Sequence, residues 1–210
     1  MSLKAPVGKK KEKLPLIEAG LQRGVCYCIV DIGTQETPFL DDDGNQKHVR
    51  QVTLGWEVTD VRMPKGDDRP RVMSKTFTLS LHEKATLRKW VHSWRGAELT
   101  DDEAREFDLR GLLGAKFQLQ VMQRPSKKTG EPYSYINSVL PPAKGQDNEA
   151  ENELLWFSLD EDEPLPETKH TWLIESIQKS PEWKAKDDMP YEASDDDPPE
   201  EEEDGGDLPF

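Results

Sequence analysis

VRQVTLGWEVTDVR, residues Val49–Arg62, alternates apolar and polar side chains almost without a break. Val52, Leu54, Trp56 and Val58 fall on one side of an extended chain, and Gln51, Thr53, Glu57 and Thr59 on the other. Successive side chains of a strand point to opposite faces, so a period of two reads as a strand with one face on a core and one face wet. Just upstream, RGVCYCIVDIG (Arg23–Gly33) is a nearly continuous apolar run, the pattern of a strand covered on both faces. Between them lies DDDGN (Asp41–Asn45), whose Asp43-Gly44 pair is a hairpin signal.

A third strand is predicted over Val72–Leu81, with Met73, Phe77, Leu79 and Leu81 on one face. The period then changes. Ala85, Leu87, Trp90, Val91 and Trp94 fall near helical spacing, and TDDEAREFD reads as a short helix with Thr100 as N-cap and Glu103 completing a capping box. Strands resume at Ala115–Arg124 and Tyr133–Leu140. Three strands, a helical insertion and two more strands is the order of the oligonucleotide-binding (OB) barrel, a five-stranded Greek-key barrel. The fold class read here is therefore mainly β: an OB barrel over residues 14–140, with helices between strands three and four. Residues 141–185 read as a linker followed by a C-terminal helical segment around Trp172, Leu173, Ile174, Ile177 and Trp183. That helix is expected to pack on the barrel or on a second copy. Residues 1–13 and 186–210 lack a core-forming pattern and read as disordered.

Charge divides the chain of 210 residues more sharply than its net −14 implies. Residues 1–140 hold 23 basic and 19 acidic side chains, whereas residues 141–210 hold 5 and 23. A mildly basic body carries a strongly acidic tail, and the body is the part suited to a polyanion. Two cysteines cannot build a disulfide framework, no apolar run is long enough for a bilayer, and the basic N-terminus lacks the apolar stretch of a secretory signal. The expectation is a cytoplasmic protein that does not engage a membrane.

Catalytic signatures are missing. The four histidines are scattered, there is no P-loop, GxSxG or GxGxxG, and Cys26 and Cys28, placed on one face of a strand, supply only two of the four ligands a structural zinc needs. No enzyme activity, metal or cofactor is expected. Basic residues interleaved with aromatics are the stronger pattern, because single-stranded nucleic acid is held by cations along its phosphates and aromatic faces under its bases. The strand candidates are Arg50, Arg62, Lys75, Lys116 and Arg124, taken to share one side of the barrel. Lys65, Arg69 and Arg71 come from the loop MPKGDDRPR and its end, and Lys127 and Lys128 from PSKKTGEP. Tyr133 and Tyr135, on one face of the last strand, are the candidate stacking platforms. Trp56 and Phe77 lie in the core phase, and Trp90 and Trp94 read as helix-to-barrel packing.

The last twenty residues hold ten acids and no Lys or Arg, then close on Gly205-Gly206 and Asp207-Leu208-Pro209-Phe210. A tethered acidic segment can cover a cationic groove weakly and be displaced by a nucleic acid. This ending resembles the C-terminal tip of bacterial single-stranded DNA-binding proteins, an acidic run closing in Asp-Ile-Pro-Phe, with Leu for Ile and two glycines before the tip. The body, with Ser180-Pro181-Glu182-Trp183 after its last helix, resembles phage-encoded OB-fold single-strand binders. The resemblance implies a body that coats single-stranded DNA and a tip, Asp207 to Phe210, that recruits replication or recombination proteins. An acidic DNA mimic or adaptor and an RNA-binding OB protein are the competing readings; the positive body argues against the mimic. A homo-oligomer is compatible with either OB reading.

Overall fold

The structure, a computed structural model, describes residues 14–41, 43–64 and 66–187. The expectations for residues 1–13, for Lys65 and for the tail with its tip lie outside those residues.

The apolar run that opens the chain's folded part becomes β1 (Gly20–Leu40), and the alternating run becomes β2 (Gln46–Arg62). They pair antiparallel around a turn in which Gly44 takes φ 81°, a conformation glycine adopts without steric cost. The register slips by one residue between Cys26 and Cys28, where Cys26 faces Trp56 and Cys28 faces Gly55. This β-bulge corrects the expectation that the two thiols share a face. An extra residue reverses the alternation, so Cys26 enters one hydrophobic cluster and Cys28 another.

β3 (Pro70–Thr78) pairs with the far side of β2, while β4 (Lys116–Pro125) pairs with the first residues of β1 and β5 (Pro132–Leu140) with β4. A short β6 (Leu155–Phe157) adds in parallel beside Cys28–Val30. The result is a mainly β fold built on one six-stranded sheet, antiparallel except for β6, in the order β3-β2-β1-β4-β5. It is not a closed five-stranded barrel: no ladder joins β3 to β5 among the described residues.

Between β3 and β4 stand α1 (Thr86–Arg95), α2 (Asp101–Glu106) and a 3₁₀ turn, Leu109–Leu112. The Thr100–Glu103 capping box is present, with Glu103 N–H donating to Thr100 Oγ1 at 3.2 Å and Thr100 N–H to Glu103 Oε2 at 2.8 Å. Trp90 packs between Trp56 and Phe77, with ring centroids 5.7 and 4.9 Å away, and Trp94 stacks on Phe117 at 5.3 Å. These contacts seat α1 on the inner face of the sheet. Fully burying one such aromatic is worth roughly 2–3 kcal/mol.

The outer face is not wet as the alternation of β2 implied. Val52–Thr59 are all buried. A second cluster, formed by Tyr27, Cys28, Val30 and Ile32 with Phe157, Leu159, Leu173 and Ile177, covers it. The expected single C-terminal helix is two: α3 (Thr171–Lys179) ends at Ser180, where Pro181 opens α4 (Pro181–Asp187). Proline disfavours helical backbone in the residue before it and fits the first turn of the next helix. Lys186, placed in the tail by composition, belongs to α4 and donates to the Glu161 carbonyl at 2.5 Å. Gly33, at φ +71°, lets Ser180 approach so closely that a Cβ there would lie 2.4 Å from the Ser180 Cβ. No helix among the described residues is long and apolar enough to cross a membrane.

Candidate nucleic-acid interface

The arginines sort by partner. Eight of the ten are ion-paired: Arg23 with Asp60, Arg50 with Asp31 and Asp160, Arg62 with Glu151, Arg69 with Asp67, Arg88 with Asp101, Arg95 with Glu103, Arg105 with Asp102 and Arg110 with Glu161. The two exceptions, Arg71 and Arg124, have no carboxylate partner among the described residues.

Arg124 has aromatic partners instead. Its register opposite Tyr133, near the tip of the β4–β5 hairpin, puts both on the same face, with Met122 opposite Tyr135 beside them. The Arg124 guanidinium carbon lies 4.4 Å from the Tyr135 ring centroid and 5.4 Å from that of Tyr133, and Arg124 Nε donates to Tyr133 Oη at 2.5 Å. The two rings are 6.0 Å apart and tilted by 47°. Tyr133 and Met122 are 36% and 41% exposed, enough to offer ring face and thioether to a ligand.

Lys75 projects from β3 at the other edge of the sheet, its Nζ 4.5 Å from the Trp90 ring centroid and 5.7 Å from that of Phe77. Its pKa is lowered, first by burial and then by the positive charge of Arg124. The open gap between β3 and β5 thus brings two cations into each other's field. Arg71, four residues earlier on β3 and on the same face as Lys75, also has its pKa lowered by burial. Like charges held near one another destabilise the empty site, and a polyanion relieves that repulsion.

The remaining candidates are dispersed, so the five strand cations do not share one side. Arg50 is locked beneath the C-terminal segment, 2.5 Å from Asp31 and 2.9 Å from Asp160, and the hydrogen bond to Asp31 raises its pKa. Arg62 is held by Glu151 at 2.7 Å and Arg69 by Asp67 at 2.5 Å, a pairing that lowers the Asp67 pKa to about 2. Lys116 stands at the opposite end of β4 from Arg124, beside Trp94 and Pro141. Lys127 and Lys128 are exposed in the loop between β4 and β5, which is tightened by the Gly130 N–H donating to the Ser126 carbonyl at 2.8 Å. That loop continues the Arg124 surface directly.

The sequence offered Arg124, Tyr133 and Tyr135 separately; the hairpin register is what brings them together. Sequence reading missed the seat of Lys75 over Trp90 and the exposed Met122. Counting back from the loop to pair Pro125 with Pro132 gives the Arg124–Tyr133 match, so that signal was available. The Lys75 position was not, because it depends on the path of two distant strands.

A groove of about 780 Å³ on the other side of β3, bordered by Tyr27, Val72, His170 and Lys169, is less suited to an anion. Glu151, Glu153 and Glu167 line it, and its arginine, Arg69, is already paired. Among the described residues no group of three or more His, Cys, Asp or Glu side chains is arranged to hold a metal ion. Cys28 is buried and its thiol is pushed up to about 12 by burial, so it is no nucleophile at neutral pH. Set against known proteins, the chain matches no protein-family model, no curated sequence and no solved structure.

Proposed function

We propose that this protein binds single-stranded DNA, as a phage-encoded OB-fold single-strand binder that coats transient single strands and recruits replication or recombination proteins through Asp207–Phe210. The observation that carries the reading is the guanidinium of Arg124, free of any carboxylate among the described residues and layered on Tyr133 and Tyr135. Bases join such a layer by stacking, with little regard to sequence, while Lys75, Arg71, Lys127 and Lys128 take phosphates. The OB reading is supported by the strand order, in which the first strand lies between the second and the fourth as in a Greek key. A partly open barrel with binding loops between its first and last strand pairs is the form that fold takes.

The test is a competition gel shift with single-stranded DNA, RNA and duplex, read with the salt dependence of binding. Single-stranded DNA should win, and log affinity should fall with log salt by about 0.7 per neutralised phosphate. Tyr133→Ala or Arg124→Ala should each weaken binding about 5- to 160-fold, the effect of losing about 1–3 kcal/mol of stacking. A slope near zero, or variants that bind as tightly as the parent, rules the site out; preference for RNA transfers it to the RNA-binding reading.

A further inference from the structure

β3 ends the sheet on its side, so one of its edges carries N–H and C=O groups that no ladder satisfies. Beside that strand and the connection leading to α1 lies a cleft of about 670 Å³, within the roughly 300–1,000 Å³ of small-ligand sites. β3 contributes Lys75, Thr76 and Thr78 to its lining, and the connection contributes Ser80, His82 and Lys84.

The charge of this cleft has one sign. No aspartate or glutamate lines it, and neither Lys75 nor Lys84 has a carboxylate partner among the described residues. Glu83, between His82 and Lys84 in the chain, lines a separate hollow with Asp101 and Arg88, and those two pair with each other at 2.7 Å. The groove bordered by Tyr27 and His170 has three glutamates by contrast. Hydroxyls complete the lining. Ser80 Oγ accepts from the His82 N–H at 3.2 Å, which leaves its own proton to donate. Ala85 and Thr86, the cap and first residue of α1, also reach the cleft; the cap offers no side-chain acceptor, and no acid stands in the first turn. A negative group there meets two ammonium groups and several donors, and no fixed carboxylate competes with it.

Lys75 belongs both to this cleft and to the site described above. Its Nζ lies 4.5 Å from the Trp90 ring centroid, and its pKa is lowered by burial and then by the charge of Arg124. The cleft therefore continues the positive field of the Arg124 surface along the free edge of β3.

Resting on the single-strand reading above, we infer that this cleft is a second phosphate site for the same strand, in which Lys84 and Lys75 hold a phosphodiester and the Ser80 and Thr78 hydroxyls donate to its oxygens. A strand layered on Arg124, Tyr133 and Tyr135 passes Lys75 and enters the cleft. Lys84, exposed and without a role in the fold's described contacts to other side chains, is the residue on which the inference turns.

The experiment compares the full chain with Lys84→Ala, Lys84→Arg and Lys89→Ala, the last an exposed lysine of α1 outside the cleft. Fluorescence anisotropy with a labelled oligo(dT) is read across salt concentrations. Lys84→Ala should weaken binding about two- to fivefold at low salt, and its log–log slope should be shallower by about 0.7, one phosphate contact. Lys84→Arg should restore both, and Lys89→Ala should keep the parental slope. Parental binding by Lys84→Ala, or an equal loss in Lys89→Ala, overturns the inference while leaving the single-strand reading in place. Thymidine monophosphate distinguishes a strand's phosphate from a free one: saturable binding of it that Lys84→Ala abolishes, with oligonucleotide binding unchanged, also overturns the inference. Failure of the full chain itself to bind the oligonucleotide overturns both.

Discussion

Two arginines show how little residue type says without surroundings. Arg50 is spent on Asp31, a carboxylate only 5% exposed, which it shares with the N–H groups of Gly33 and Leu159. Arg124 lies open on two tyrosines. Three adjacent groups, Cys26, Tyr27 and Cys28, have pKa values raised chiefly by burial. For Cys28 the rise is from 9.0 to about 12. The folded state keeps this thiol neutral while the unfolded chain ionises it, so its stability contribution is complete below pH 9 and lost progressively as pH rises toward 12. Unfolding free energies from urea titrations between pH 8 and 11.5 should therefore fall, by at most about 1.4 kcal/mol per pH unit from each such group. Cys28→Ala should make the fall shallower. An alkaline midpoint that does not move would show these groups to be hydrated.

The element that departs most from expectation is the segment 141–153. Its composition is that of a linker, yet Gln146 Nε2 donates to the Gly24 and Phe117 carbonyls and, further along, a buried carboxylate holds it to the sheet. Glu57 is fully buried and accepts from the Glu151 N–H at 2.9 Å, the Asn152 N–H at 2.5 Å and Asn152 Nδ2 at 2.6 Å. An extended segment has no ladder of its own to satisfy its N–H groups, so a carboxylate projecting from a strand does so. Glu57→Ala removes the acceptor from all three donors and should destabilise the protein by about 3 kcal/mol. Hydrogen exchange should locate the loss, with amides of residues 148–157 exchanging faster than those of β4 and β5. Uniform acceleration across the sheet would mean that the segment is not a separately fastened unit.

At the scale of the whole molecule the decisive feature is the separation of charge along the chain. On the proposed reading, the ten acids of residues 191–210 would compete weakly with a nucleic acid for the basic body. Deleting residues 191–210 should tighten binding to single-stranded DNA several-fold at low salt, with the difference vanishing as screening shortens the Debye length to about 3 Å near 1 M salt. Anisotropy titrations of full and truncated chains provide the comparison. Weaker binding after truncation would mean that the tail supports the site rather than competing for it.

Much of the fold was legible in the chain. Alternation marked β2, a two-sided apolar run marked β1, and Thr100 with Glu103 marked the start of α2, because strand period and helix capping are local in sequence. That Tyr133 and Tyr135 share one face of the last strand was readable for the same reason. What tertiary structure alone decided was which side chains remain available. Whether a lysine or arginine meets a carboxylate depends on strands brought together from distant parts of the chain: Asp160 reaches Arg50, Glu151 reaches Arg62, and nothing comparable reaches Arg124 among the described residues. One bulge at Cys26–Cys28 reversed which residues face which cluster, and a sheet left open between β3 and β5 set Lys75 within the field of Arg124. Periodicity and capping act over a few residues and can be read directly; charge pairing and sheet closure act through space, and only the folded chain fixes them.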